Sequence, residues 1–116
     1  NEAEYHYKLA LAWNETGSPD KTVESLVKAV QLNPRHPRAW YNLGLAHNGM
    51  NQPEAAIAAL LKAESVGPND PEPPYARATI LYGLRRIPEA VEAAQRALEI
   101  QPGYTPARTF LQELGL

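Results

Sequence analysis

Apolar and polar residues along this chain follow the period of an α-helix, in short blocks that end abruptly. From Ala39 to Gly49, the residues Trp40, Leu43, Leu45, Ala46 and His47 recur at helical spacing. Asn51-Gln52-Pro53 breaks that pattern. A second stripe then runs from Glu54 to Val66, with Ala56, Ile57, Leu60, Leu61 and Ala63 on one side, until Gly67-Pro68 ends it. The same kind of break stands at Gly17-Ser18-Pro19 and at Arg85-Arg86-Ile87-Pro88, the latter opening a helix over residues 88–100. Residues 105–115 supply one more stripe, Phe110, Leu111 and Leu114. The alternation expected of strands is absent. The pattern predicts an all-α chain of seven helices.

The blocks share one register. Ala29, Ala63 and Ala97 are spaced by 34 residues, as are Pro34, Pro68 and Pro102, Ala10, Gly44 and Ala78, and Tyr7, Tyr41 and Tyr75. The units run 3–36, 37–70 and 71–104 without insertion, and the helix of residues 105–115 closes the array. Small residues in the columns of Ala10 and Ala29 let antiparallel helices approach closely. Large ones (Leu9, Leu43; Leu26, Leu60; Leu32, Val66, Ile100) are expected to fill the space between units. One such unit cannot bury its apolar face alone, so units stack and the stack needs ends. The last helix is placed to cover the face left open by residues 88–100 and so acts as a cap.

These columns resemble the tetratricopeptide repeat family. The second unit carries Trp40, Leu43, Gly44, Ala56, Leu60, Ala63 and Pro68 in the family's spacing, with His47 where Tyr is usual. The first has His6 in place of Trp, then Leu9, Ala10, Trp13, Thr22, Leu26, Ala29 and Pro34. The third departs most: Pro74 and Arg77 stand where Trp and Leu are expected, while Ala78, Ala90, Ala94, Ala97 and Pro102 agree. The resemblance implies a right-handed αα-superhelix, a single domain over residues 1–116, and the role of a protein-binding scaffold. The chain begins at Asn1 without Met, and is expected to be part of a longer protein.

The resemblance also implies where a partner sits, because the first helix of each unit lines the concave groove. The columns facing it are Glu4, Arg38, Glu72; Tyr7, Tyr41, Tyr75; Leu11, Leu45, Thr79; and Asn14, Asn48, Tyr82. The candidate peptide-binding residues are therefore Tyr7, Leu11, Asn14, Arg38, Tyr41, Leu45, Asn48, Tyr75 and Tyr82. Tyrosine offers a large rigid face and a hydroxyl at low entropic cost. The same tyrosines could instead pack against neighbouring first helices, or do both. Arg38 lies between Glu4 and Glu72 in its column; the three could set a ligand's register or pair among themselves. Arg77, in a core position, either snorkels to solvent or pairs with a carboxylate such as Glu64. One family mode grips a C-terminal carboxylate with groove cations. Here Asn42 matches, but Tyr7, Leu11, Glu72 and Ala76 fill the other clamp columns, so that ligand is not expected.

Composition narrows the chemistry. The formal net charge is −2, with a sequence pI near 5.9, which argues against a nucleic-acid partner. There are no cysteines, so no disulfide, thiolate metal site or Cys nucleophile is available. No apolar run reaches the ~20 residues that span a bilayer, so no direct membrane insertion is expected. His6, His36 and His47 lack metal-ligand spacing, no phosphate-binding glycine motif occurs, and Ser18, Ser25 and Ser65 have no His beside them. Glu92 with Arg96, and Glu24 with Lys21 and Lys28, read as surface ion pairs. No catalytic, cofactor or metal site is expected. Cytoplasm and periplasm are both compatible.

The expected function is a protein–protein interaction scaffold binding a peptide segment of a partner. Two alternatives stand beside it: a self-association module acting through the N-terminal repeat, and an accessory segment of a larger enzyme or secretion-assembly protein.

Overall fold

The computed structural model describes the whole chain, Asn1–Leu116. Seven helices follow one another: α1 (Glu2–Glu15), α2 (Pro19–Leu32), α3 (Pro37–Gly49), α4 (Pro53–Val66), α5 (Glu72–Gly83), α6 (Ile87–Ile100) and α7 (Thr105–Glu113). There is no strand. The helices pair as α1–α2, α3–α4 and α5–α6, each pair stacks on the next, and α7 lies on α6. The result is an all-α superhelix of three hairpins and a final helix, 44 Å long and 26 × 20 Å across. No helix is long and apolar enough to cross a membrane.

The sequence punctuates these helices by two devices. Every helix but α1 carries a proline at one of its first two positions, where no intrahelical N–H bond is lost. The N-terminus of α1 is instead capped by Asn1, whose side-chain oxygen accepts from the Glu4 amide at 2.8 Å. Within each unit the turn needs one residue in the left-handed region: Gly17 (φ 74°), Asn51 (φ 59°) and Arg85 (φ 63°), again 34 residues apart. Glycine and asparagine adopt this conformation readily; Arg85 holds it under strain.

Two apolar clusters form the core. One joins the first two units through Ala10, Leu26, Ala29, Val30, Ala39, Leu43 and Ala59. The other runs from α4 to α7 through residues such as Leu60, Ala78, Leu81, Ala94 and Leu111. Leu26 and Leu60 are fully buried, each contributing about 1.5–3 kcal/mol. The small-residue columns act as expected. A Cβ added to Gly44 would lie 2.8 Å from Leu60 Cγ and 3.2 Å from the Ala56 carbonyl oxygen, so α3 and α4 pack at glycine distance.

Some expectations do not hold. Leu32 and Leu61 are 51% and 48% exposed rather than packed between helices. Leu32 is the last residue of α2, and Asn33 turns the chain away before a neighbour covers it. Leu61 lies one residue, or ~100° of helix rotation, past buried Leu60. The surface ion pairs Glu92–Arg96 and Lys21–Glu24–Lys28 do not form. Lys21 rests over the Trp13 ring at 4.3 Å, while Arg86 bridges Glu89 (2.7 Å) and Glu54 (2.8 Å). Isolated surface pairs are worth so little that a ring face competes with them, as at Lys21.

Arg77 is anchored in the boundary between units. Its Nε donates to Glu64 Oε2 at 2.6 Å and its Nη2 to Oε1 at 3.0 Å, and both side chains are largely covered. At the preceding boundary, 34 residues earlier, Val30 and Leu43 hold the same positions and are buried. An apolar contact has thus been replaced by a two-pronged ion pair. Arg77→Leu alone should destabilise the chain by roughly 1–3 kcal/mol, because Glu64 keeps its burial and loses its donor. The double change Glu64→Val with Arg77→Leu should restore stability to the parent level or above it. Urea unfolding of the parent and the two variants checks both outcomes.

Candidate functional site

Curvature decides which side of the stack is the groove. The first helices α3 and α5 touch across their unit boundary, whereas no comparable contact joins α2 to α4 or α4 to α6. A stack whose first helices lie closer together bends toward them, so at this boundary the side that α1, α3 and α5 share is the inner one.

The tyrosine column sits there, half-buried. Two of the rings, Tyr7 and Tyr75, lean on the start of the next helix in the column, and Tyr41 is held by a residue of its own helix. Tyr7 packs on the His36 ring at 4.6 Å between centroids, and its hydroxyl accepts from Asn42 Nδ2 at 3.3 Å. Tyr75 meets Tyr104 edge-on at 5.8 Å. Tyr41 lies beneath the Arg38 guanidinium, 4.5 Å from its ring centroid. His36 and Tyr104 are the residues preceding α3 and α7, each 29 positions after its tyrosine. The ladder is therefore a set of joints between units as well as a lining.

The charged column is also paired. Arg38 binds Glu72 (3.3 Å) and Asp70 (3.4 Å) at the start of α5. Glu4 binds not Arg38 but His36 Nε2, at 2.7 Å, while His36 Nδ1 accepts from the Ala39 amide and caps α3. These contacts stitch the N-termini of α1, α3 and α5 together along one rim. Burial pulls the Arg38 guanidinium pKa down, but the hydrogen bond and charge of Glu72 more than offset this and leave it raised.

What remains open in the groove is the other half of the candidate set. Leu11 and Leu45 are 41% and 42% exposed, Asn14 and Asn48 are exposed, and Tyr82 presents its outer face while its ring meets Phe110 edge-on at 5.8 Å. These residues border three pockets at successive unit boundaries. The first, of about 260 Å³, lies between Leu11, Asn14, Pro19, Asn42, Leu45 and Ala46, with Leu26 and Thr22 beneath. The second, of about 310 Å³, includes Asn48, Pro53, Thr79, Ile80 and Gly83. The third, of about 240 Å³, is made by Thr79, Tyr82, Phe110, Glu113 and Leu114. Asn14, Pro19, Leu45, Ala46 and Gly49 of the first map onto Asn48, Pro53, Thr79, Ile80 and Gly83 of the second by the same 34-residue step. One site is thus built three times with different linings. Ala46, Phe110 and Glu113 belong to it and are not among the expected groove residues, and Asn42, expected only as a match to a clamp column, also lines it. Comparing Ala46 with Ile80 in the repeat columns is the signal that points to the first two pockets' difference.

Residues 14–80, more than half of the chain, match the sequence profile of the tetratricopeptide repeat. Among solved structures, MamA superposes with a TM-score of 0.86 at 29% identity, over 92% of this chain and 63% of MamA. The chain therefore spans less than two-thirds of that relative. The first tetratricopeptide domain of Spaghetti (RPAP3), solved bound to the HSP90 peptide SRMEEVD, gives a TM-score of 0.89 at 18% identity, over 98% of this chain and 90% of that domain. YrrB, described as having an unusual peptide-binding site, gives 0.88 at 18%, over 97% of this chain and 58% of YrrB. The latter two share the fold with this chain. Comparison with curated proteins finds no match.

Burial raises the Tyr41 and Tyr104 phenol pKa values above the usual tyrosine range, and the Glu72 carboxylate adds to both. Both hydroxyls thus stay protonated at neutral pH. A raised native pKa favours the protonated form in the fold. That stability is full below the ordinary phenol pKa of about 10 and is lost as pH climbs through the native value. Alkaline titration at the phenolate absorbance band should show a late-ionising fraction that Tyr41→Phe with Tyr104→Phe removes.

Proposed function

The chain belongs to the tetratricopeptide repeat family, and on that premise we propose that it binds an extended peptide segment of a partner protein in its concave groove. The observation that carries this reading is the threefold pocket. Leu11 and Leu45 give the first pocket apolar sides, and Asn14 and Asn48 put amides at the first and second that can pair with a peptide backbone. On the same helices, Tyr7, Tyr41 and Tyr75 offer rings already held by His36, Arg38 and Tyr104, so contact with them costs little side-chain entropy. Tyr82 and Arg38 mark the two edges of the lining.

Charge separates this groove from that of the Spaghetti domain. The peptide SRMEEVD bound there is acidic. Here Arg38 is already held by Asp70 and Glu72, and Tyr7, Leu11, Glu72 and Ala76 offer a terminal carboxylate no free cation. The proposed ligand is therefore not an acidic C-terminus. The chain's role is recognition, with no chemistry assigned to its side chains.

Peptides selected on the immobilised chain and measured by fluorescence anisotropy test the site. Leu45→Arg should weaken them about tenfold or more without lowering the melting temperature, since Leu45 is exposed, and Lys62→Glu on α4 should leave them unchanged. SRMEEVD should not bind. Unchanged affinity in Leu45→Arg would place the ligand elsewhere.

A second reading, self-association through the N-terminal repeat, is favoured by one observation. His6, Leu9 and Trp13 at the open end of the stack occupy the columns of Trp40, Leu43 and His47, and Leu43 and Trp40 pack with residues of α2. Around them lies a pocket of about 210 Å³ flanked by Lys21 and Lys28. Sedimentation velocity across a concentration series decides it: association should be seen and should vanish in Leu9→Glu, whereas a monomer throughout removes this reading.

A further inference from the structure

The three groove pockets share a plan, so their differences state what each accepts. In the first, the column residue at the base is Ala46, and the cavity reaches down to Leu26 and Thr22. In the second, the same column holds buried Ile80, and Leu45 is replaced by Thr79. In the third, the column holds Leu114, with Tyr82, Phe110 and Glu113 around it. Only the first pocket is mainly apolar and reaches a fully buried side chain, Leu26. Its volume of about 260 Å³ is below the ~300–1,000 Å³ of small-molecule sites, a size suited to one side chain.

The third pocket has a different preference. Glu113 has no ion-pair partner and ends α7, where a negative charge faces the negative end of the helix dipole. No basic residue lies in that last turn to relieve it. Beside it the Tyr82 and Phe110 rings stand edge to face at 5.8 Å. An unpaired carboxylate next to aromatic rings attracts a cation by charge and by ring quadrupole together.

We propose that the groove selects an extended segment carrying an aliphatic anchor side chain, which enters the Leu11–Leu45–Ala46 pocket, and a basic side chain, which sits at Tyr82, Phe110 and Glu113. The proposal rests on the groove reading above and deepens it. Touching helices lie 8–10 Å apart, so the two boundaries are separated by ~20 Å, or about six residues of extended chain at ~3.3 Å each. Asn14 and Asn42 border the anchor pocket, and Asn42 is held by the Tyr7 hydroxyl, which leaves its carbonyl oxygen for a backbone amide.

The test is a selection from random displayed peptides of about 12 residues, enough to span both pockets. Enriched sequences should share Leu, Ile or Met about six positions from Lys or Arg. Synthetic peptides of that consensus should then be titrated against two variants that copy the third unit's residues into the second, Ala46→Ile and Leu45→Thr, and against Glu113→Gln. The first two should each lower affinity about tenfold. Glu113→Gln should lower it about threefold, with a weaker salt dependence than the parent. Ile and Thr already occupy these columns at Ile80 and Thr79, so folding should survive, and circular dichroism verifies it.

If peptides are enriched and lost in Leu45→Arg but lack the aliphatic anchor, or ignore Ala46→Ile and Leu45→Thr, the anchor proposal falls while the groove reading stands. If they ignore Leu45→Arg too, or if nothing is enriched, both fall. A dimer of the free chain that Ala46→Ile dissolves would give the pocket to a second copy and overturn the proposal.

Discussion

Two helices joined by a short turn can lie side by side at close range only if small side chains face each other where the helices touch. In this chain that condition is met at Ala10, Gly44 and Ala78 on the first helices and at Ala29, Ala63 and Ala97 on the second. Close approach within a unit leaves the large residues to project outward, toward the next unit. Leu26 and Leu43, in one cluster across the first two units, are then buried by stacking, whereas Leu60 also fills the space over Gly44 in its own hairpin. The hairpin, the stack and the curvature all follow from that one spacing requirement. It is strictest at Gly44, where even a methyl group would meet Leu60.

Repetition with variation then produces function. The translation that buries the core also opens a pocket at each boundary on the inner side, and the small-residue columns do not fix everything that lines it. Ala46 and Ile80 are both compatible with the fold, yet they give the two pockets different linings. The rim is different in kind. There His36, Arg38, Asp70 and Glu72 are consumed in tying the helix starts together, so charges in the groove columns serve the scaffold first. Relatives with the same fold can thus differ in ligand while keeping the small-residue columns that set the helix spacing.

Much of the architecture was legible in the sequence because its cause is periodic. Four columns in one register specify seven helices, their breaks and their pairing. The pairing of Arg77 with Glu64 was foreseen as one of two options, since a charge in a core column must find a partner or reach solvent. The site was harder to read. The tyrosine column was visible, but its division between joint and lining depends on residues 29 positions away, a relation no single column displays. Leu32 and Leu61 were misplaced because a periodic stripe does not say where its neighbour ends. The pockets themselves are empty space, and only the contrast between equivalent positions hints at them.

The ion pair at the second boundary makes the units unequal as building blocks. A duplicated second unit would set the Glu64 carboxylate against Leu43 of its own copy, and a third unit moved behind the first would set Arg77 against Val30. Either rearrangement strands a charge in an apolar contact. The order of the hairpins is thereby written into the boundary itself. Growth of this array by copying meets resistance there, and less at the boundary of Val30 with Leu43, where any apolar unit end would fit.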